Sequence, residues 1–187
     1  MNWSLTGKPV DGCYSIVYAD PPWSYHDKQG QGPYPTMDLH DLMALPVEAL
    51  TTPDAVLFMW ATWPTLPDAF SLGIQWGFRY VNCGFLWVKM RAGRPFMGLG
   101  HWTRGNTEPC LLFKRGKPKV ISHSVEQVVL APLTRHSAKP PEVRDRIHAL
   151  MGDQPSVELF AREQVARWDS FGNEIDPATS VLLEAPK

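Results

Sequence analysis

Short apolar runs, separated by segments with the pattern of helices, are the feature that most constrains how this chain folds. The clearest run, AVLFMWA at 55–61, contains no polar residue. A strand of this kind is stable only where both of its faces are covered. Similar runs lie at 14–19, 80–88, 110–114, 127–131 and 156–160. We therefore expect a sheet that is buried between other layers.

Three segments between these runs have the pattern of helices: 37–45, 67–76 and 140–151. The last is the clearest, because Val143, Ile147, Leu150 and Met151 recur on one helical face and Gly152 follows them. Strands that alternate with helices predict an α/β fold, with helices on both faces of the sheet. No internal repeat or linker divides the chain, so we expect a single domain over 1–187.

Composition agrees with one globular domain. The chain has 187 residues, of which 44% are hydrophobic and 20% charged, which argues against disorder and fibrous repeats. Three cysteines lack CxxC spacing and six histidines lack HExxH spacing, so we expect neither a disulfide framework nor a metal site. The sequence shows no membrane span and no apolar signal core at its start, and we expect a cytoplasmic protein.

Charge is distributed unevenly along the chain. The formal net charge of −1 excludes a generic basic coat protein of nucleic acid. Residues 79–119, however, contain nine Lys and Arg against one acid, Glu108, which leaves +8 there and −9 elsewhere. Aromatic residues such as Trp87 and Trp102 lie among these cations, a pattern typical of nucleic-acid binding. The alternative is an ordinary set of solvated surface charges.

The first strand-type run ends at Asp20-Pro21-Pro22-Trp23. In open α/β sheets, ligands bind beyond the carboxyl ends of the strands. An exocyclic amine on an aromatic ring is a weak nucleophile, and a carboxylate with a backbone carbonyl could accept its two N–H groups and localise its lone pair. The prolines would hold their carbonyls in place, and Trp23 would offer a face for base stacking. The alternative is a proline turn that ends a strand, with Trp23 in the core.

The sequence resembles the DPPW type of S-adenosylmethionine-dependent N6-adenine methyltransferases, the family of the messenger-RNA adenosine methyltransferase catalytic subunit. The resemblance extends over nearly the whole chain. Beyond DPPW it rests on PYPTM (33–37), LFMWAT (57–62), LWVK (86–89), GHWTRGNTEPCL (100–111), HSAKPPE (136–142), ELFAR (158–162) and FGNE (171–174). It implies a Rossmann-like methyltransferase sheet and S-adenosyl-L-methionine as the cofactor.

The resemblance also implies roles for individual residues on the substrate side. Asp20 and the Pro21 carbonyl would hold the adenine amine, and Tyr34 and Glu108 would border the base. Gate loops are expected near 24–36 and 132–140. The basic loop near 89–107 would bind nucleic acid through four residues that its charge and aromatic pattern single out: Lys89, Arg91, His101 and Arg104.

On the cofactor side, Asp20 would lie near the amino group of the methionine part and Lys139 near its carboxylate. The remaining residues implied in cofactor binding are Glu158, Phe160, Arg162, Gly172, Asn173 and Glu174. Two departures from the family pattern concern the ribose contacts. Glu163-Gln164 replaces a His-Asn pair after ELFxR, and Glu174 replaces a Gln.

Several alternatives stay open at this stage. The chain could be a catalytically silent nucleic-acid-binding partner of an active methyltransferase, or it could methylate another exocyclic amine such as cytosine N4. A compact form favours DNA over RNA by analogy with microbial and phage enzymes. Neither a homodimer nor a pairing with another subunit is decided by the sequence.

Overall fold

The computed structural model describes residues 8–9, 12–24, 35–98, 100, 102–134, 138–176, 178 and 180–182. In chain order the strands and helices are β1 (Lys8–Pro9), β2 (Tyr14–Ala19), α1 (Leu39–Met43), α2 (Val47–Leu50), β3 (Thr51–Trp60), a 3₁₀ turn (Trp63–Thr65), α3 (Leu66–Gln75), β4 (Arg79–Arg91), β5 (Arg94–Pro95), β6 (Thr107–Arg115), β7 (Val128–Pro132), α4 (Glu142–Met151), β8 (Ser156–Leu159), β9 (Asp169–Phe171) and β10 (Val181–Leu182).

One sheet of eight strands organises the chain. Its strand order is β5-β4-β6-β3-β2-β8-β9, and β7 pairs with β4. The four neighbouring strands β3, β2, β8 and β9 all run parallel to one another. Strands β4 and β7 are also parallel to each other. Strand β6 runs antiparallel between β3 and β4, which makes β4 parallel to β3. The predicted α/β fold class is confirmed as a mostly parallel, mixed sheet.

Strand β3 alternates its side chains between two hydrophobic cores, one on each face of the sheet. In β3, Leu57 and Met59 belong to one buried cluster, whereas Phe58 and Trp60 belong to the other. All four are fully buried. Because successive side chains of a strand point to opposite faces, a strand that is apolar throughout must be covered twice. Coverage on both faces therefore explains why the run at 55–61 contains only apolar residues.

Helices cover both faces of the sheet, as predicted. Leu42 of α1 and Leu72 of α3 pack into the cluster that contains Leu57. On the opposite face, Val143 and Ile147 of α4 pack against the cluster that contains Trp60. Within the described part of the chain, no helix is long and apolar enough to cross a membrane.

The segment between the fourth and sixth strands differs from the sequence prediction. Residues 90–107 were expected to form one long loop, but β4 continues to Arg91 and turns at Ala92 and Gly93 into β5. A two-residue turn with both φ angles positive, 49° and 74°, suits a tight hairpin. The predicted basic loop is therefore a short hairpin followed by a loop that leads to Thr107.

The strand pairing determines which segments meet at the edge of the sheet where β2 ends. We call it the catalytic edge, because the predicted catalytic residue Asp20 lies there. Asp20 follows β2, and the carboxyl ends of β3, β4, β7 and β8 lie at the same edge because these strands are parallel to β2. The antiparallel β6 brings its amino end there instead, so Glu108 lies opposite Trp87 of β4. Segments that are far apart in sequence converge at this edge.

Candidate active site

Asp20 begins the site directly beyond β2. Its backbone N–H donates to the carbonyl of Leu159 at 3.3 Å, and 28% of its side chain is exposed. Pro21 is buried, and its carbonyl accepts the N–H of Trp23 at 2.8 Å. A carbonyl oxygen has two lone pairs, so one further donor can still bind to Pro21. The turn thus presents a carboxylate and a carbonyl side by side.

The stacking role predicted for Trp23 is not supported by the position of its ring. Only 8% of Trp23 is exposed, and it belongs to the core cluster that contains Leu57. Its indole N–H donates to the carbonyl of Trp60 at 3.1 Å. A buried indole usually finds such a partner. Trp23 therefore ties the proline turn to β3, and the core alternative gives its structural role.

Lys139 is the direct partner of the Asp20 carboxylate. Its Nζ lies 2.7 Å from Asp20 Oδ2 and 3.6 Å from Glu108 Oε2. The ammonium also lies 5.7 Å from the ring centroid of Trp60, within the range of a cation–π contact. The other carboxylate oxygen, Asp20 Oδ1, makes no hydrogen bond within the described part of the chain. Lys139 therefore orients Asp20 while it leaves one acceptor open.

A second ion pair continues this line of charges. Lys89 Nζ bonds to Glu108 Oε1 and lies 5.2 Å from the ring centroid of Trp87. The rings of Trp60 and Trp87 meet edge to face at 6.4 Å. Both lysines thus sit above a pair of buried indoles. Two carboxylates and two ammonium groups alternate, so the charges of this row balance one another.

The row of charges shifts the pKa values at its centre. Burial raises the pKa of Asp20, and the charge of Glu108 raises it further, while Lys139 partly offsets both. Burial alone would lower the pKa of Lys139, but the facing carboxylates of Asp20 and Glu108 raise it overall. Lys139 therefore stays charged. Asp20 is a stronger base than an exposed aspartate, which suits a group that must accept N–H bonds and a proton.

The segments beyond β8 and β9 form a close backbone contact. An added Cβ on Gly172 would lie 1.9 Å from the carbonyl oxygen of Ala161, and the Ala161 N–H donates to the Phe171 carbonyl at 2.9 Å. Phe160 has a left-handed φ of 64°, which is costly for a residue with a side chain and is found most often at functional sites. These two features place 158–162 against 171–174.

Side chains from these two segments lie next to each other and close to Asp20 and Lys139. Arg162 Nε is 3.7 Å from Glu174 Oε1, and the charge of Arg162 contributes to the pKa of both Asp20 and Lys139. Asn173 and Glu174 are exposed on the turn that follows Gly172. The structure thus brings together Arg162, Gly172, Asn173 and Glu174 from the predicted cofactor set.

Glu158 has a different arrangement from the one the sequence suggested. It is only 7% exposed, and Arg144 of α4 binds both of its oxygens, at 2.7 and 2.8 Å. Burial raises the pKa of Glu158, and Arg144 opposes that shift. Two-point binding of this kind is the strong geometry for an Arg–carboxylate pair. The structure shows this carboxylate joining α4 to the sheet, and its cofactor contact remains a prediction.

The basic segment 79–119, predicted from its charge to bind nucleic acid, does not form one face. Its cations divide between opposite ends of the β4–β6 pair, which lie roughly 40 Å apart along a strand of this length. Near the catalytic edge are Lys89, Arg91, Arg94 and Arg104; at or beyond the other end are Arg79, Lys114, Arg115, Lys117 and Lys119. Antiparallel pairing separates residues that are close in sequence. Only the first group can act at the site.

Within the first group, Lys89 is engaged by Glu108, whereas Arg91 and Arg104 are exposed. Tyr34 and His101 lie outside the described residues. So do most of the predicted gate loop 24–36 and residues 135–137 of the second gate loop.

Trp60 and Arg144 contribute to the site although the sequence did not single them out. Trp87 was counted with the aromatic residues of the nucleic-acid-binding pattern, but only 1% of it is exposed, so it cannot stack on a base. Trp60 and Trp87 provide the indole floor under the two lysines, and Arg144 holds Glu158. The signals were present, since Trp60 is the last residue of the apolar strand β3 and Trp87 lies two residues before Lys89 in β4. Their shared location depends on strand order, which sequence spacing does not reveal.

The mostly parallel α/β sheet, with helices on both faces, is the fold of a Rossmann-like methyltransferase, and the family comparison defines the class as an adenine-specific methyltransferase. The chain belongs to the MT-A70 family, whose model matches residues 14–174. The family resemblance and the class of enzyme predicted from the sequence are both confirmed.

Three relatives illustrate the range of the family. The type II methyltransferase M.MunI of Mycoplasma sp is 35% identical over 87% of this chain and 78% of its own length. The N(6)-adenosine-methyltransferase MT-A70-like protein of Arabidopsis thaliana is 33% identical over 88% of this chain. The N(6)-adenosine-methyltransferase catalytic subunit METTL3 of Homo sapiens is 30% identical over 88% of this chain. This chain spans 24% and 29% of the lengths of those two relatives.

Proposed function

We propose that this chain transfers a methyl group from S-adenosyl-L-methionine to the exocyclic N6 amine of adenine in nucleic acid, with DNA as the favoured substrate. The observation that carries the proposal is the 28% exposed Asp20 carboxylate, which Lys139 holds at one oxygen and whose other oxygen bonds to no described residue. The match along 78% of a type II methyltransferase, against about a quarter of the N6-adenosine relatives, supports DNA.

The residues at the carboxyl edge fit the proposed cofactor. The Ala161 backbone packs directly against Gly172, where a Cβ would lie 1.9 Å from the Ala161 carbonyl oxygen, and this contact holds the turn with Asn173 and Glu174 beside Arg162. Asp20 offers an acceptor for an ammonium group, and Lys139 offers a donor for a carboxylate. Arg162, Asn173 and Glu174 offer the donors and acceptors that ribose hydroxyls and a purine require. When bound, S-adenosylmethionine supplies a methyl group activated by a sulfonium.

Asp20 and Pro21 would act on the target amine. Asp20 Oδ1 and the second lone pair of the Pro21 carbonyl would each accept one N–H bond, which draws the nitrogen lone pair out of conjugation with the ring. As the N–C bond forms and the C–S bond breaks, positive charge develops on the nitrogen, and the Asp20 carboxylate stabilises it. Asp20 would then receive or relay the proton that the amine releases. Its raised pKa suits both tasks.

Lys139 and Glu108 would maintain this geometry. Lys139 would fix the carboxylate through Oδ2 and leave Oδ1 to accept from the amine. Glu108 accepts from Lys139 and Lys89 and balances their charge. A positioned acceptor lowers the barrier because little reorganisation is needed when the charge develops.

The proposal is tested by product analysis with the full-length chain. Wild type and Asp20→Asn are incubated with labelled S-adenosylmethionine and matched single- and double-stranded DNA and RNA, and the nucleosides are identified by mass spectrometry. We expect N6-methyladenine from wild type, in DNA above RNA, and a loss of at least about 100-fold in Asp20→Asn. The exposed carboxylate variant Asp41→Asn is the matched control and should retain activity.

The same experiment separates the competing functions. A product methylated at cytosine N4 would replace adenine as the target. An absence of methylated nucleosides, together with nucleic-acid binding, would instead identify a silent scaffold. Undiminished methyl transfer by Asp20→Asn would overturn the mechanism.

A further inference from the structure

Trp102 is the most exposed large apolar side chain that the structure describes. Its exposed fraction is 99%, and that of Met97 in the same loop is 71%. An indole left in water forgoes a large gain from burial, since an aromatic side chain contributes among the largest apolar areas in a protein. Exposed apolar groups of this size mark contacts with a partner or ligand. Trp102 is not used by the mechanism proposed above.

The loop that carries Trp102 is closed by backbone contacts. An added Cβ on Gly98 would lie 2.1 Å from the carbonyl oxygen of Gly105, and one on Gly100 would lie 1.9 Å from that of Thr103. The two arms of the loop therefore touch each other directly, and Trp102 lies between them at the turn. This geometry displays the indole outward and keeps it from folding back onto the loop.

The same loop is attached to the catalytic edge. The Lys89 N–H donates to the Asn106 carbonyl at 2.8 Å, and the Phe96 N–H donates to the Lys89 carbonyl at 2.6 Å. Both ends of the loop are thus bonded to the residue whose side chain holds Glu108. A strand that delivers a base to Asp20 would pass the root of this loop.

The charged residues of the segment that carries Trp102 are all cations. Arg91, Arg94 and Arg104 are exposed, and none of these guanidinium groups forms an ion pair with a described residue. The sequence has no Asp or Glu from 89 to 107. An exposed indole in a segment whose exposed guanidinium groups pair with no described carboxylate complements a polyanion that carries flat bases, which is the recurring pattern of single-strand binding.

We propose that Trp102 stacks on a base beside the target adenine, while Arg91, Arg94 and Arg104 contact the flanking phosphates. This inference rests on the proposed function, because it takes the substrate to be a nucleic-acid strand that enters the Asp20 site. The stacked base occupies the apolar surface that Trp102 leaves in water. Stacking on an aromatic ring tolerates any base, so Trp102 would contribute affinity and placement and little sequence preference.

The test measures binding, and methyl transfer is recorded separately. A fluorescently labelled 12-nucleotide strand with one central adenine is titrated with wild type, Trp102→Ala and Trp102→Phe, and anisotropy gives the Kd. We expect Trp102→Ala to weaken binding about 10-fold, or about 1.4 kcal/mol, and Trp102→Phe to restore most of it. Ile74→Ala, which removes a 65% exposed apolar side chain from the last turn of α3, away from this loop, is the matched control and should bind like wild type.

Abasic substitutions identify the stacked base. In a series of strands that lack one base at each position next to the adenine, wild type should lose about 10-fold at one position. Trp102→Ala should show no further loss there, because the contact is already absent. Equal losses in both proteins at every position would overturn the proposal. So would a change in sedimentation on Trp102→Ala, since it would assign the indole to a contact between protein subunits.

The two proposals fail in different ways. If wild type methylates adenine but Trp102→Ala binds the strand as tightly, the stacking role is wrong and the function stands. If wild type binds with the abasic pattern but yields no methylated nucleoside, the stacking role stands and the function is wrong. Thermal unfolding of each variant confirms that its fold is intact.

Discussion

Lys139 lies 2.7 Å from Asp20, although 119 positions separate the two in the sequence, and the same ammonium is 3.6 Å from Glu108. One ammonium group therefore bridges two carboxylates at the catalytic edge, and Lys89 supplies the second positive charge. Removing the charge of Lys139 should raise the pKa of Asp20, whereas removing the charge of Glu108 should lower it. The pH dependence of the reaction can therefore test the arrangement.

Replacing Lys139 with Met should lower kcat and move the acidic limb of the pH profile to higher pH. Asp20 must be ionised to accept the amine, so activity is lost as the pH falls through the pKa of Asp20. The charge of Lys139 lowers that pKa, and its loss raises it. The measurement is kcat from pH 5 to 9 at saturating S-adenosylmethionine. Lys139→Arg, which keeps the charge, should leave the limb near its wild-type position; a limb unmoved in Lys139→Met would contradict the pairing.

Replacing Glu108 with Gln should move the same limb to lower pH. The charge of Glu108 raises the pKa of Asp20, so its removal lowers that pKa and keeps Asp20 ionised in more acidic solution. The variant should also show a lower kcat at neutral pH, because Lys139 and Lys89 lose a shared partner. Kinetic profiles recorded beside those of Lys139→Met should show shifts of opposite sign. Shifts of the same sign would rule out a direct effect of both charges on Asp20.

Gly172→Ala should weaken cofactor binding and destabilise the fold by about 1–3 kcal/mol, since its Cβ would overlap the Ala161 carbonyl. Gly93→Ala is the matched control, because Gly93 has a left-handed φ of 74° but no atom within 4 Å of an added Cβ. The control should lose only about 1 kcal/mol and should retain cofactor affinity. Calorimetric titration with S-adenosylmethionine and urea unfolding provide the two measurements. If Gly172→Ala bound S-adenosylmethionine as tightly as wild type, the contact between Gly172 and Ala161 would have no role in cofactor binding.

Arg144→Met should destabilise the chain by about 3–5 kcal/mol, because it leaves the buried Glu158 carboxylate without its partner. Without Arg144 the folded-state pKa of Glu158 rises further above its unfolded value. A raised folded-state pKa stabilises the protein below the unfolded pKa, and that benefit disappears as the pH rises through the folded pKa. The defect should therefore be smaller at pH 5 than at pH 8 in urea unfolding.

The double variant Arg144→Met/Glu158→Leu completes this comparison. It should recover much of the lost stability, since no charge is then left buried. A double variant as unstable as Arg144→Met would show that Arg144 acts through its own packing and not through Glu158.

Part of the architecture follows directly from local sequence. The β2 run at 14–19 and the helix that ends at Gly152 have the predicted positions, because apolar periodicity and Pro or Gly boundaries are local signals. Strand β9, with three residues, and helix α2, with four, were not predicted. Segments this short carry too few residues for a periodic pattern, and only pairing with β8 makes β9 a strand.

The basic segment shows where local reasoning fails. Nine cations in 41 residues suggested nucleic-acid binding by the whole segment. In the structure, Arg79 lies opposite Lys114 at one end of the β4–β6 ladder, whereas Arg91 lies at the other end. Proximity along a chain does not imply proximity on a surface when the chain reverses direction. Trp23 was likewise predicted to stack on a base, but it lies in the core, where its indole N–H donates to the carbonyl of Trp60 in β3.

The sequence by itself determined the class of this protein. Apolar runs that alternate with helices indicated a doubly covered α/β sheet, and the Asp-Pro-Pro-Trp turn with its companion motifs indicated an adenine methyltransferase of the family now identified. The tertiary structure decided which of the marked residues act on one another. Strand order brings Asp20, Lys139, Glu108 and Lys89 into one row above Trp60 and Trp87, and it assigns Glu158 to Arg144. Composition and spacing are properties of the chain in one dimension, whereas charge pairing and burial depend on distances that exist only after the strands have paired.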